Sequence, residues 1–222
     1  MKRPVNASHS LILAMLLVLT SVLTLAAPVN AMERMTKEGI DHAIRYGMAR
    51  GRFGMSDVLG PNWFEKPDGT LLNIYTPFML LAAKVARGRH PANPTAEELK
   101  KARSRYHRTI RTIRNERDPY DVKFVLSIFG DNSKFHRRLS AHIEGIGRGH
   151  KFWLAPSKRI IEPYAQPVNG DRKTATEFAA VNAYYFDIRK VENMDELDLI
   201  IEDKANKDSE PIVFHVDMNK VL

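Results

Sequence analysis

The spacing of apolar residues changes near residues 118–119, and this change constrains the fold more than any other feature of the chain. Before that point, apolar side chains recur every three or four residues, which is the spacing of one helix face. After it, they alternate with polar side chains, as in strands that bury one face. The sequence therefore predicts an α+β protein, with a helical N-terminal region over residues 32–119 and an antiparallel β-sandwich over residues 120–222.

Two helices are predicted in the first part of the helical region. Residues 36–50 carry one apolar face, although Gly39 and Gly47 lower the helix propensity of this segment. Residues 77–87 begin with a proline that follows a threonine, and this pair suits the first helical position and the N-cap. We expect residues 52–69, which are rich in Gly and Pro, to form a loop between them.

The third predicted helix, residues 95–117, is strongly basic. Thr95 and Glu98 have the spacing of a capping box at its start, and the helix should end near residue 118, before a proline. Its apolar stripe is narrow, so cations occupy most of its surface. They can bind an anionic surface, or they can simply keep the exposed face of a packed helix in water. The candidate binding residues are Lys100, Lys101, Arg103, Arg105, Arg108, Arg111 and Arg114.

The pattern in the second half of the chain predicts short strands separated by turns. The segments near 152–154 and 159–161 are bounded by prolines, which favours edge strands. The last two segments are predicted to form a hairpin, and a helix over residues 193–204 is the alternative for the first of them. The predicted strands are residues 122–129, 138–144, 152–154, 159–161, 178–188, 197–201 and 212–218.

The first 31 residues have the three parts of an export signal. Lys2 and Arg3 precede an uncharged apolar run over residues 11–27, and small residues lead to a cleavage point after Ala31. A run of 17 residues lies at the short end of what can span a bilayer, so a retained anchor is the alternative. We expect cleavage near Ala31, a periplasmic or extracellular location in a bacterium, and no membrane span in the mature chain.

The distribution of charge suggests an anionic partner. The whole chain carries a net charge of +8, of which +6 remains once the two cations of the leader are removed. Residues 32–119 carry +7 and residues 120–173 carry +5, whereas residues 174–222 carry −6. Outside the cytoplasm the abundant polyanions are lipid headgroups and envelope polymers, so these are the expected partners, and nucleic acid is not. The alternative is that the charges serve solubility alone.

The residues that usually carry catalysis lack recognisable spacing. The chain has no cysteine, which excludes disulfides, thiolate metal sites and cysteine nucleophiles. Its histidines show no metal-ligand spacing, and Ser56 and Ser133 lie outside any nucleophile elbow. We therefore expect no metal and no cofactor, and a binding or structural module instead of an enzyme. The alternative is an envelope hydrolase that uses a carboxylate and a histidine between the two regions.

Two aromatic groups are candidate stacking platforms for sugars or peptides. Tyr184, Tyr185 and Phe186 lie on a predicted strand, where aromatic side chains usually belong to the core and one of the two tyrosines points outward. Phe152 and Trp153 present the same two alternatives. The sequence alone leaves open which of these side chains reaches the surface.

Three segments of the chain carry a resemblance to exported bacterial proteins of uncharacterised function. These segments are NIYTPFMLLAAKVA at residues 73–86, YDVKFVLSIFGD at residues 120–131 and VNAYYFDI at residues 181–188. The proteins that they resemble join a helical N-terminal region to a β-sandwich-like C-terminal region. The resemblance implies that architecture, and it implies no activity and no site residues.

Overall fold

The computed structural model describes residues 35–91, 93–115, 121–147, 150–170, 175–191, 194–206 and 208–221. The predicted export signal and the predicted end of the basic helix lie outside these residues. Residues 31–222 form one compact unit. Within the described residues no helix is both long enough and apolar enough to cross a bilayer.

The protein has an α+β fold, as the sequence predicts, with helices in its N-terminal part and antiparallel sheets in its C-terminal part. Short 3₁₀ turns precede β1 and β4. The helices are α1 (Lys37–Arg50), α2 (Met55–Leu59), α3 (Pro77–Ala86), α4 (Ala96–Arg105), α5 (His107–Asn115) and α6 (Ile188–Val191). The strands are β1 (Trp63–Glu65), β2 (Leu71–Tyr75), β3 (Asp121–Gly130), β4 (Leu139–Gly147), β5 (His150–Leu154), β6 (Lys158–Ile161), β7 (Gln166–Pro167), β8 (Phe178–Asp187), β9 (Glu196–Asp203) and β10 (Ile212–Asp217).

Threonine caps begin the helices where the sequence predicts them. The hydroxyl of Thr36 accepts a hydrogen bond from the third residue of α1 at 3.1 Å, and Thr76 caps α3 in the same way at 3.2 Å. Thr95 and Glu98 form the complete predicted capping box of α4. Each cap satisfies a backbone N–H that the first helical turn leaves without a partner, and thereby fixes where the helix begins.

The basic helix is interrupted at Tyr106, although the sequence predicts one helix over residues 95–117. The backbone angles of Tyr106 are φ −96° and ψ 14°, away from the helical region. Its ring is buried, and its hydroxyl lies 2.8 Å from Nε2 of His90. Burial of this aromatic ring therefore coincides with a break that separates α4 from α5.

Two antiparallel sheets make up the β-rich part of the chain within the residues that the structure describes. The first has the strand order β1-β2-β3-β8-β6, with β7 pairing beside β8, and the second has the order β10-β9-β4-β5. Their facing side chains form one hydrophobic core, which we call the inter-sheet core, and Phe124, Tyr184 and Phe186 are among its fully buried members. Two sheets that share a core are compatible with the predicted sandwich.

Some elements differ from the sequence-based expectation. Residues 52–69, expected as a loop, contain α2 and β1. The strands β1 and β2 both lie in the region expected to be helical, before residue 119, and both pair into the first sheet. The central residues of β2 are buried whichever side they face, so its sequence does not alternate. The alternative helix over residues 193–204 is wrong, because this segment forms β9 with alternating burial.

A second core, which we call the helical core, lies among α1, α2, α3 and α4. Trp63 and Tyr75, from β1 and β2, pack against it, so the edge of the first sheet joins the helices. Gly47 lies where α1 meets α3. A Cβ atom built on Gly47 would lie 2.9 Å from Cβ of Val85, and its other near neighbours belong to the α3 backbone. The absence of a side chain therefore lets the two helices touch.

Candidate ligand-binding site

Four side chains form one row across the outer face of the second sheet. The strand register places Trp153 opposite Glu144, Glu144 opposite Asp198, and Asp198 opposite His215. Directly opposed residues on antiparallel strands point to the same face of the sheet. Their strand neighbours, such as Ile143, Leu199 and Phe214, point into the inter-sheet core. We call these four residues the Trp153 row.

The indole of Trp153 is both exposed and held in place. Trp153 is 65% exposed, and its ring stacks on His142 with the centroids 5.5 Å apart and the planes 29° from parallel. The stacking leaves His142 only 9% exposed. A histidine therefore packs against one face of the indole, and the other face is left for a ligand.

Two carboxylates flank the imidazole of His142. Nε2 lies 3.5 Å from a carboxylate oxygen of Glu144, and Nδ1 lies 3.8 Å from one of Glu202. Both distances exceed those of ordinary hydrogen bonds, so the two carboxylates lie beside the ring that supports Trp153 without a direct hydrogen bond to it.

A pocket with a volume of about 420 Å³ opens beside this row. That volume is within the usual range for small-molecule sites. Phe152 also lines the pocket and is 39% exposed, although its side chain lies on the opposite face of β5 from the indole of Trp153. The residues that line the pocket are Glu144, Gly145, Lys151, Phe152, Trp153, Glu196, Leu197 and Asp198.

The pocket is acidic, and its carboxylates are crowded. Glu144 and Asp198 are directly opposed on neighbouring strands, an arrangement that destabilises a sheet when the two charges are alike. His215 relieves part of this repulsion, since its Nδ1 donates to Asp198 at 2.6 Å. Glu196, which is opposed by Asp217, adds a further negative charge, and Lys151 is the one cation among the described residues of the lining. The site therefore favours a ligand that brings hydrogen-bond donors.

Gly145 allows the second sheet to close beneath the pocket. A Cβ atom at this position would lie 2.9 Å from Sδ of Met194 and 3.1 Å from the carbonyl oxygen of Glu196. Phe152 is opposite Gly145 on the neighbouring strand. The missing side chain at Gly145 therefore leaves room for the Met194 side chain and for the backbone of β9.

The residues predicted from sequence to bind an anionic surface lie on α4 and α5. Arg103 makes a bidentate ion pair with Asp41 of α1, which raises the pKa of the arginine and ties α4 to α1. Lys101 lies 3.1 Å from Glu97 on the same helix. Four others are exposed, and the side chain of the seventh, Arg114, lies outside the description. The exposed residues are Lys100, Arg105, Arg108 and Arg111.

Of the two aromatic groups, Phe152 and Trp153 form the exposed one. Tyr184 and Phe186 are fully buried in the inter-sheet core, whereas Tyr185 lies on the opposite face of β8. This is the arrangement that the alternation of the strand predicts. It leaves the indole of Trp153 as the platform beside a pocket.

His136 is buried beside the inter-sheet core and away from the pocket. Its Nε2–H donates to the carbonyl oxygen of Glu162 at 2.7 Å, since a carbonyl can only accept. The side-chain amide of Asn182 donates to the carbonyl oxygen of His136 at 3.0 Å. Among the described residues there is no group of three or more His, Asp or Glu side chains that could hold a metal ion.

No protein-family model and no curated protein matches this chain. Patterns in the sequence do not point to Glu144, Asp198 and His215 as one site, because these residues meet only through pairing between distant strands. The alternation along β4 and β9 places Glu144 and Asp198 on a polar strand face, and this is the sequence signal that could have identified them.

Proposed function

We propose that this chain is an exported binding module of the bacterial envelope, and that it binds sugar units of an envelope polymer over the Trp153 row. The observation that carries the proposal is an indole that is 65% exposed and stacked on a buried histidine. A flat aromatic ring that is already ordered loses little conformational entropy when a ligand covers it. Such rings are efficient anchors for a binding site.

The groups around Trp153 suit a sugar better than a purely apolar ligand. A pyranose ring presents an apolar C–H face, which can cover the indole, and hydroxyl groups at its rim. The carboxylates of Glu144, Glu196 and Asp198 can accept hydrogen bonds from hydroxyls, and Lys151 can donate. One aromatic platform and a few polar groups are the usual composition of a selective small-ligand site.

The charge of the lining predicts which sugars bind. Within the part of the lining that the structure describes there are three carboxylates and one ammonium, so an acidic sugar would meet repulsion. Neutral sugars and amino sugars should bind in preference to uronic acids. The ligand expected at this pocket therefore differs from the anionic partner predicted for residues 95–117, and the two would bind at different places on the molecule.

The proposal is tested by co-sedimentation with insoluble neutral polysaccharides, such as cellulose and chitin, and with purified bacterial cell-wall polymer. Trp153→Ala should weaken binding by about tenfold or more, as expected for loss of a central aromatic anchor. Phe53→Ala is the matched control, because Phe53 is 71% exposed and belongs to the helical part of the chain. Binding that survives Trp153→Ala, or is lost equally in Phe53→Ala, would contradict the proposal.

The amino-terminal residues support export of the chain. They comprise a charged start, an apolar run and small residues before the expected cleavage point. Sequencing the amino terminus of the protein recovered from cells should find Met32 as the first residue. Recovery of the chain with residues 11–27 attached would favour the retained anchor.

A second candidate function is association with anionic lipid through α4 and α5. Its support is the exposure of several cations on these two helices, including Arg108 and Arg111. Vesicles that contain phosphatidylglycerol should then bind the protein at low salt and release it at physiological salt. The double substitution Arg108→Glu and Arg111→Glu should abolish this binding, whereas Trp153→Ala should leave it unchanged.

A further inference from the structure

We propose that β5 pairs with β5 of a second copy of this chain, so that two second sheets join into one continuous antiparallel sheet. The evidence for this interface is independent of which ligand the Trp153 row binds. It consists of the exposure of β5, the register in which it can pair with itself, and the charges that this register brings together.

Among the described residues, β5 is an exposed edge strand that a single lysine protects. It is the last strand of the second sheet, and its residues from His150 to Trp153 are all exposed. Its exposed side chains include two aromatics, Phe152 and Trp153. Edge strands that stay monomeric usually carry charges or proline. The edge strand β6 of the first sheet begins with two adjacent exposed cations, whereas β5 carries a single exposed lysine followed by two exposed aromatics.

The sequence of β5 selects one self-pairing register. For the outer faces of two copies to be continuous, an antiparallel pairing must centre on a single residue, because side chains alternate between faces. Centring on Lys151 would oppose two ammonium groups. Centring on Trp153 would leave His150 beyond the strand of the other copy. Centring on Phe152 pairs all five residues of β5 and opposes no like charges.

This register places complementary groups across the interface. Lys151 of one copy lies opposite the partner's Trp153 on the outer face, and its side chain can pass beside that indole and leave the free face of the ring open. Glu144 lies beyond that indole in the same row, and it offers the ammonium a carboxylate. On the inner face, Phe152 meets the partner's Phe152. Both copies contribute the same contacts, as a two-fold interface requires.

The expected dimer is weak and reversible. An interface made by one five-residue strand belongs to the small end of specific interfaces, where association is transient. Pairing would place two Trp153 rows side by side on one sheet surface. A polymer that reached both rows would bind with avidity, which makes a weak dimer useful for a repetitive ligand.

The test is sedimentation velocity on residues 31–222, which form one compact unit. Over the range of about 5 to about 200 μM, in which a small interface should associate, we expect the sedimentation coefficient to rise from monomer to dimer. Phe152→Lys and Trp153→Lys should each weaken association by about tenfold or more, because each opposes new like charges. Ile160→Lys is the control, since Ile160 is 48% exposed on the edge strand β6.

Hydrogen exchange identifies the strand that pairs. Backbone amides of residues 150–154 should become more protected as the concentration rises, and those of residues 158–161 should not. A monomer at every concentration would overturn the proposal. So would a dimer that survives both lysine substitutions, or one that Ile160→Lys also removes. A monomer whose β5 amides are protected only by an added extended peptide would overturn it in favour of a peptide partner.

Discussion

Gly47 gives a stability prediction whose sign is opposite to that expected from helix propensity. Replacing a glycine inside a helix by alanine normally stabilises it, by about 0.5–1 kcal/mol. In α1, however, a Cβ atom on Gly47 would lie 2.9 Å from Cβ of Val85 and would also meet the backbone of α3. Since a backbone cannot move aside as a flexible side chain can, α1 and α3 must separate. We expect Gly47→Ala to lower the free energy of unfolding by about 1–3 kcal/mol.

Gly39 is the matched control in the same helix. A Cβ atom on Gly39 would lie 3.5 Å from Oγ1 of Thr36 and 3.8 Å from Sδ of Met35, which are ordinary contacts. Gly39→Ala should therefore leave stability unchanged or raise it by up to about 1 kcal/mol. Urea unfolding followed by far-ultraviolet circular dichroism measures both variants, and an unchanged m value shows that the transition is comparable. If Gly47→Ala were as stable as Gly39→Ala, the inferred contact between α1 and α3 would be refuted.

Two further predictions concern buried and paired polar groups. Asn182→Ala should lower the free energy of unfolding by about 2–3 kcal/mol in urea titration. The substitution removes the hydrogen bonds that Asn182 donates to the carbonyl of His136 and to the hydroxyl of Tyr184. A loss below about 0.5 kcal/mol would contradict this role. Hydrogen bonds from Arg189 lower the pKa of Asp187, so this pair contributes stability above the ordinary carboxyl pKa of about 4 and loses it as the pH falls through the lowered value. The stability difference between the wild type and Arg189→Gln should therefore shrink in acid, and a difference that grew below pH of about 4 would show that the pairing is misassigned.

Local signals in the sequence predict much of the fold. Threonine caps and apolar periodicity locate α1, α3 and the start of α4, and alternation locates β3, β4, β8, β9 and β10. They fail for β2, because a strand whose central residues are all buried does not alternate. Local signals also misjudge Gly47. Helix propensity marks it as a weak position of α1, whereas in the structure it is the point where α1 touches α3.

The candidate site is harder to predict than the fold. Trp153 and Phe152 are recognisable from the sequence as candidate surface aromatics, but the polar groups around Trp153 come from other strands. Glu144 and Asp198 are 54 positions apart in the chain and meet only because β4 pairs with β9. The support of the indole by His142 also depends on that tertiary arrangement. Local periodicity carries no information on strand order, so the Trp153 row could not be assembled from it.

The most direct test of the proposed site uses the two tryptophans of the chain as internal reporters. Trp63 packs against the helical core, whereas Trp153 lies exposed on the second sheet. In proton–nitrogen NMR spectra, a titration with neutral oligosaccharides, such as cellohexaose and N-acetylglucosamine oligomers, should shift the indole N–H signal of Trp153 and leave that of Trp63 in place. Oligogalacturonate should produce a much smaller shift, because it is acidic. A Trp153 signal that stays fixed while another part of the protein responds to the neutral sugars would contradict the account.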